Sequence, residues 1–145
     1  MKKLFLISAV LMMFTASFVF AESPDAILGE WVTEGDKSFV EIYKCDELYC
    51  GKIIWLKNPK DEEGKEKVDK KNPDETMRNR KLLGLPILWG FTYSGEGKWE
   101  KGKIYDPQNG KTYSCRIKLE GEKLKVRGFI GFSLLGRTSV WTKKS

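Results

Sequence analysis

The stretch KTYSCRIKL (residues 111–119), EGE (120–122) and KLKVRGFI (123–130) decides how this chain is read. In its first arm Tyr113, Cys115, Ile117 and Leu119 alternate with Thr112, Ser114, Arg116 and Lys118. In its second, Leu124, Val126, Gly128 and Ile130 alternate with Lys123, Lys125, Arg127 and Phe129. Successive side chains of a strand point to opposite faces, so each arm has one face for a core and one for water. Glu120-Gly121-Glu122 supplies the reversal between them, and the pair reads as an antiparallel hairpin.

Working outward, the same kind of segment recurs at Ser38–Cys45, Leu48–Leu56, Leu85–Tyr93, Lys98–Tyr105 and Arg137–Lys143, after an opening strand around Trp31. Ser94-Gly95-Glu96-Gly97 and Asp106-Pro107-Gln108-Asn109-Gly110 are further turn signals. Short connections join neighbouring antiparallel strands, so sheet order should follow chain order. The expectation is an all-β fold, an eight-stranded antiparallel up-and-down barrel over residues 22–145, with one long loop between strands 3 and 4. A barrel of this size either fills its interior with side chains or holds one small ligand.

Residues 1–21 form a separate unit. Lys2 and Lys3 precede an apolar run from Leu4 to Phe20 that ends in Val19-Phe20-Ala21. This pattern predicts a signal peptide cleaved after Ala21 and a periplasmic or secreted domain. The run is short of the roughly 20 apolar residues of a spanning helix, so no integral membrane span is expected after cleavage. Loss of Lys2 and Lys3 takes the formal charge from +6 to +4. That excess alternates along strands and reads as a solvated face. Attraction to anionic lipid or nucleic acid is the alternative that any basic surface carries, and nucleic acid fits poorly with export.

Cys45 and Cys50 flank Asp46-Glu47-Leu48-Tyr49 between two strand-like runs, where they should face each other across a hairpin mouth and form a disulfide in an oxidising compartment. Metal binding is the weaker reading, because two further ligands would be needed and the chain has no histidine. Cys115 reads as a buried thiol on the apolar face of its strand. The segment from Lys57 to Arg80 is charged, carries Asn58-Pro59 and Asn72-Pro73, and lacks strand periodicity, with a helical turn expected after Pro73. A connector this long is expected to act as a binding element gating the barrel mouth, or else as a solvated excursion.

Several of these motifs stand together in order: Gly29-x-Trp31, Val40-Glu41-Ile42-Tyr43-x-Cys45, Cys50-Gly51-Lys52-Ile53, Asn72-Pro73-Asp74, Leu82-Leu83-Gly84, Gly102-Lys103-Ile104-Tyr105-Asp106-Pro107, Gly110-Lys111-Thr112-Tyr113, and Gly128-Phe129-Ile130-Gly131 followed by Leu135-Gly136-Arg137-Thr138. As a set they resemble a family of exported bacterial proteins of uncharacterised function with a lipocalin-like fold. The resemblance implies a small calycin-type barrel and an envelope or secreted location, and no activity. Gly29-x-Trp31 also resembles the first-strand signature of lipocalins, in which an arginine from the last strand packs on the tryptophan. Arg137 is the corresponding residue here.

Without histidine the chain lacks the usual general base and the Ser-His-Asp and Cys-His arrangements. A carboxylate-dependent hydrolase built on Asp69, Asp74 or Asp106 remains a third option, although Asp74 after Pro73 and Asp106 before Pro107 read as cap and turn residues. No cofactor is implied. The leading reading is a non-enzymatic carrier. Trp31, Tyr43, Trp55, Trp89, Tyr105, Tyr113 and Trp141 would line a pocket for a small hydrophobic, lipid-like or amphipathic ligand, and Arg78, Arg80 or Arg137 would meet its anionic head. The alternative is an envelope protein-interaction or structural module with a filled barrel. Its partner surface would use Ile53–Leu56, apolar on both faces, and the Leu82–Leu88 run.

Overall fold

A computed structural model describes residues 23–132 and 134–145. The signal-peptide expectation for residues 1–21 therefore lies outside the described residues. Eight strands follow one another: β1 (Gly29–Val32), β2 (Ser38–Cys45), β3 (Leu48–Leu56), β4 (Pro86–Gly95), β5 (Lys98–Asp106), β6 (Lys111–Glu120), β7 (Lys123–Phe129) and β8 (Gly136–Lys143). Each pairs antiparallel with the next, and β8 returns to β1, giving a closed up-and-down barrel. Closure rests on a short ladder, Trp31 opposite Lys143 and Val32 opposite Thr142.

Cross-strand register assigns the inner face. Trp31 lies opposite Val40, Ile42 opposite Gly51, Leu88 opposite Ile104, Cys115 opposite Gly128, and Leu124 opposite Trp141. Trp31, Val40, Leu88, Phe91, Trp99, Cys115, Ile117, Leu124 and Val126 are essentially inaccessible and form one core within the barrel. Small residues make room for large ones. A Cβ on Gly102 would run into the Phe91 ring, and one on Gly51 would come within 2.9 Å of Leu88 Cδ1.

One end of the cylinder is sealed by the 3-10 turn Pro24–Ile27, whose Ile27 is fully buried. Trp31 Nε1–H donates to the Ile27 carbonyl at 2.9 Å, Trp99 Nε1–H donates to the Pro24 carbonyl at 3.0 Å, and Tyr49 Oη–H donates to Asp25 at 2.7 Å. Three rings that would otherwise bury unsatisfied polar atoms thereby hold the turn in place.

Two local features depart from the sequence expectation. Phe39 pairs with Trp55 but Val40 pairs with Ile53, so Ile54 is the extra residue of a β-bulge. The run that is apolar on both faces thus reflects a change of face along β3, and Trp55 stacks on Phe39 outside the barrel with centroids 4.3 Å apart. Cys45 and Cys50 are bonded as expected, with Cα atoms 5.9 Å apart. They sit diagonally, not face to face, since Cys45 pairs with Leu48 and Cys50 with Tyr43. Cys115 is free and buried.

Candidate functional site

The end opposite the Pro24–Ile27 turn is the mouth. It is framed by the 57–85 loop, the turn after β5, the segment between β1 and β2, and the β7–β8 connection. Along the inner face, exposure changes from one end to the other. In β6, β7 and β8 the inner-face residues Ile117, Leu124 and Trp141 are buried, and Leu119 at the sealed-end rim of β6 is half-buried. The inner-face residues nearer the mouth, Tyr113, Gly128 and Ser139, are half-buried, as is Ile104 beside them. An inner-face side chain meets solvent toward a rim of the barrel, and the mouth-side rim is the wider of the two partly exposed regions. The lumen is therefore a plug of side chains below and a shallow cup above.

The cup has an apolar floor and a few polar groups. Tyr113 Oη accepts a hydrogen bond from Asn109 Nδ2–H at 2.8 Å, and Trp141 Nε1–H donates to Ser139 Oγ at 2.7 Å. Gly128 keeps space open, since a Cβ there would sit 3.4 Å from Ile104 Cγ2 and 3.6 Å from Tyr113 Cβ. Arg137 lies opposite Gly128 in the register and is 84% exposed at the rim. It is held by Glu34 at 3.2 Å, and the same carboxylate accepts the Val140 N–H.

This location corrects the role that the lipocalin resemblance implies for Arg137. The cation over the Trp31 ring is Lys143, its direct cross-strand partner, with Nζ 5.6 Å from the centroid. Arg137 is six residues back along β8, about 20 Å away at the rise of a strand, and so stands at the opposite end of the barrel.

The ring residues separate by face. Trp31, Tyr113 and Trp141 are inner-face residues, and only Tyr113 opens onto the cup. Tyr43, Trp55, Trp89 and Tyr105 are on the outer face and do not line the lumen. The Ile54 bulge redirects Trp55, and an irregularity at Gly90, whose φ is +78°, leaves Trp89 outward between inward Leu88 and Phe91. Trp99, also an inner-face ring, and Phe91, which the pocket expectation did not include, are central to the plug.

Tyr105 faces outward yet is buried, because the 57–85 loop folds over it. Asp69, 0% exposed, accepts from Tyr105 Oη–H at 2.6 Å and from Asn72 Nδ2–H at 2.8 Å, and pairs with Arg80 at 3.3 Å. Burial, reinforced by the Asp69 hydrogen bond, pushes the Tyr105 phenol up to about 12. Arg78 Nε–H donates to the Asn72 carbonyl at 2.7 Å. Arg78 and Arg80 are thus engaged within the loop and away from the cup. Val68 bridges Lys81, and Glu75–Met77 forms a 3-10 turn capped by Asp74, the helical turn expected after Pro73. The loop is tied to the wall, not poised as a free lid. Of the carboxylates weighed for catalysis, Asp69 anchors the loop, Asp74 caps a turn, and Asp106 receives the Gln108 N–H.

A family model described as "Uncharacterized protein conserved in bacteria (DUF2147)" matches residues 29–143. No curated protein matches the chain. Among solved structures, one described as "Protein HP1028 from the human pathogen Helicobacter pylori belongs to the lipocalin family" is similar, with 26% identity and a TM-score of 0.73 over 82% of this chain and 83% of that one. A lipocalin-like barrel is an architecture suited to enclosing ligands. Among the described residues no helix is long and apolar enough to cross a membrane.

Proposed function

We propose, starting from a chain that belongs to the DUF2147 family of uncharacterized bacterial proteins, that it is an exported, non-enzymatic barrel. It binds one small amphipathic molecule in the cup at its mouth. The observation that carries this reading is the exposure gradient along the inner face: buried at Ile117, Leu124 and Trp141, half-open at Tyr113, Gly128 and Ser139. An apolar chain of the ligand would lie against Ile104 and Tyr113, and Arg137 would meet an anionic head with a charge-assisted hydrogen bond. The plug below limits the ligand to one that fits a shallow site. The Cys45–Cys50 bond supports an oxidising compartment, and cleavage after Ala21 would deliver the domain there.

The test is titration of the mature domain with single-chain fatty acids, followed by tryptophan fluorescence, because the buried Trp141 is hydrogen-bonded to Ser139 at the edge of the cup. Saturable quenching is expected. Gly128→Leu should fill the cup and abolish it while leaving the far-ultraviolet spectrum intact, and Arg137→Ala should weaken carboxylate ligands at least about tenfold. Quenching that survives Gly128→Leu would sink the proposal. The mass of the exported protein checks the cleavage position.

A further inference from the structure

Among the described residues, the most exposed large apolar side chains lie on the β7–β8 connection. Ile130 is 64% exposed, Phe132 76%, Leu134 89% and Leu135 67%. Two backbone hydrogen bonds close this connection: Ile130 N–H donates to the Leu135 carbonyl at 3.2 Å, and Leu135 N–H to the Phe132 carbonyl at 2.9 Å. Starting about 10 Å back along β7, at Arg127, the outer wall of β5, β6 and β7 carries cations in directly opposed pairs that continue toward the sealed end. Arg116 faces Arg127, Lys118 faces Lys125, and Lys98 faces Lys118 across the next seam. A groove of about 350 Å³ runs along this wall between Lys98, Arg116, Lys125 and Arg127. The acids beside these cations are Glu96, Glu100 and Glu120: Glu96 pairs with Lys98 at 3.8 Å, and Glu120 bridges Lys118 at 3.2 Å and Lys125 at 2.7 Å.

Like charges directly opposite one another destabilise a sheet, and a cluster of them creates a field that attracts anions. The wall alone would suit any polyanion, but a soluble polyanion would leave the apolar tip in water. A protein partner is disfavoured by shape. A specific interface covers about 800 Å² on each side, and four exposed side chains on one connection fall well short of that. A bilayer surface answers both features, with phosphates at the depth of Arg116 and Arg127 and an acyl boundary some 5–10 Å below, where an apolar tip can rest. Lipid attachment needs two weak signals to become stable, and here β7 carries Arg127 and leads into the apolar connection.

We infer that the barrel docks on an anionic lipid bilayer, inserting the tip side chains Ile130, Phe132, Leu134 and Leu135 and laying the Arg116–Arg127 pair against the headgroups. This inference is independent of what the cup holds.

The experiment is co-sedimentation of the mature protein with vesicles of equal parts phosphatidylglycerol and phosphatidylcholine, and with phosphatidylcholine alone, over a salt series. Binding to the anionic vesicles, weakening as salt rises, is expected, with little binding to the neutral ones. The double variant Phe132→Ser/Leu134→Ser, which alters only exposed side chains, should bind at least about tenfold more weakly. Arg116→Glu/Arg127→Glu should lose at least about fivefold for each charge. Thermal melts establish that both variants are folded. Tip-variant binding equal to that of the parent would overturn the inference in favour of a polyanion site on the wall. Equal affinity for neutral vesicles, or no sedimentation at low salt, would also overturn it. So would a tip-dependent dimer in sedimentation velocity, which would make a second copy the occupant.

Discussion

Lys143 lies directly across from Trp31 in the pairing that closes the barrel, with its Nζ 5.6 Å from the indole centroid, while Trp31 Nε1–H is bonded to the Ile27 carbonyl. One ring thus joins the seam of the sheet to the turn that seals its end. Trp31→Phe should remove that donor, leave the buried carbonyl without it, and cost about 1–3 kcal/mol in urea unfolding. Arg137→Ala, at the exposed rim, should change stability by less than about 0.5 kcal/mol. Comparable losses at the two positions would contradict this division of roles.

The Asp69–Tyr105 bond fastens the long loop to the wall. Tyr105→Phe leaves the buried carboxylate with Asn72 and Arg80 but without its 2.6 Å donor. We expect about 1–3 kcal/mol of destabilisation. Limited proteolysis at the loop lysines should accelerate more than at the hairpin turns, because the variant loosens one region first. Uniform acceleration would instead mean that the bond supports the whole fold.

The Phe91 ring occupies the space over Gly102. Gly102→Ala should force that ring to shift and cost about 1–3 kcal/mol by overpacking, detectable as a lower urea midpoint with an unchanged slope. Gly121, at an open turn, has nothing near its missing Cβ but a φ of +61°. Gly121→Ala should cost only the backbone penalty of about 1 kcal/mol.

Burial, with help from Asp25 and Asp69, pushes the phenols of Tyr49 and Tyr105 up to about 12, and burial alone pushes the Cys115 thiol up to about 12. Each neutral form is favoured by folding, so in the alkaline range the native state holds protons that the unfolded chain has released. Stability from the tyrosines should be intact below pH 10 and decline as pH rises toward 12, and the contribution of Cys115 should decline from about pH 9. Tyr49→Phe and Tyr105→Phe should each flatten the alkaline limb of a stability–pH profile. A profile that rises over this interval would reverse the sign argued here.

Much of the architecture was legible because alternation in β6 and β7 is unbroken and turn residues stand between most strands. Those two arms pair at every position from Ser114–Phe129 to Glu120–Lys123. The ring residues were harder to place, since face assignment depends on counting by twos and one inserted residue inverts the count. Ile54 does this for Trp55 on β3, and the positive φ angles at Gly90 and Lys101 mark further irregularities on β4 and β5. No local signal distinguishes Ile54 from its apolar neighbours. Asp69 was legible as an acid in a suggestive loop, but its burial depends on Tyr105, 36 positions away. The cation over Trp31 was misassigned because the barrel register, set by long-range pairing, selects Lys143.

The short β1–β8 ladder has a kinetic consequence. Every other strand pair in the cylinder is a sequential neighbour, whereas this clasp joins residues as far apart as Glu30 and Lys144, 114 positions distant. Contacts of such separation repay their loop-closure entropy late, so a curled but unfastened ribbon should precede the native state. Amides at Trp31, Val32 and Thr142 would then gain protection from hydrogen exchange after those of β6 and β7.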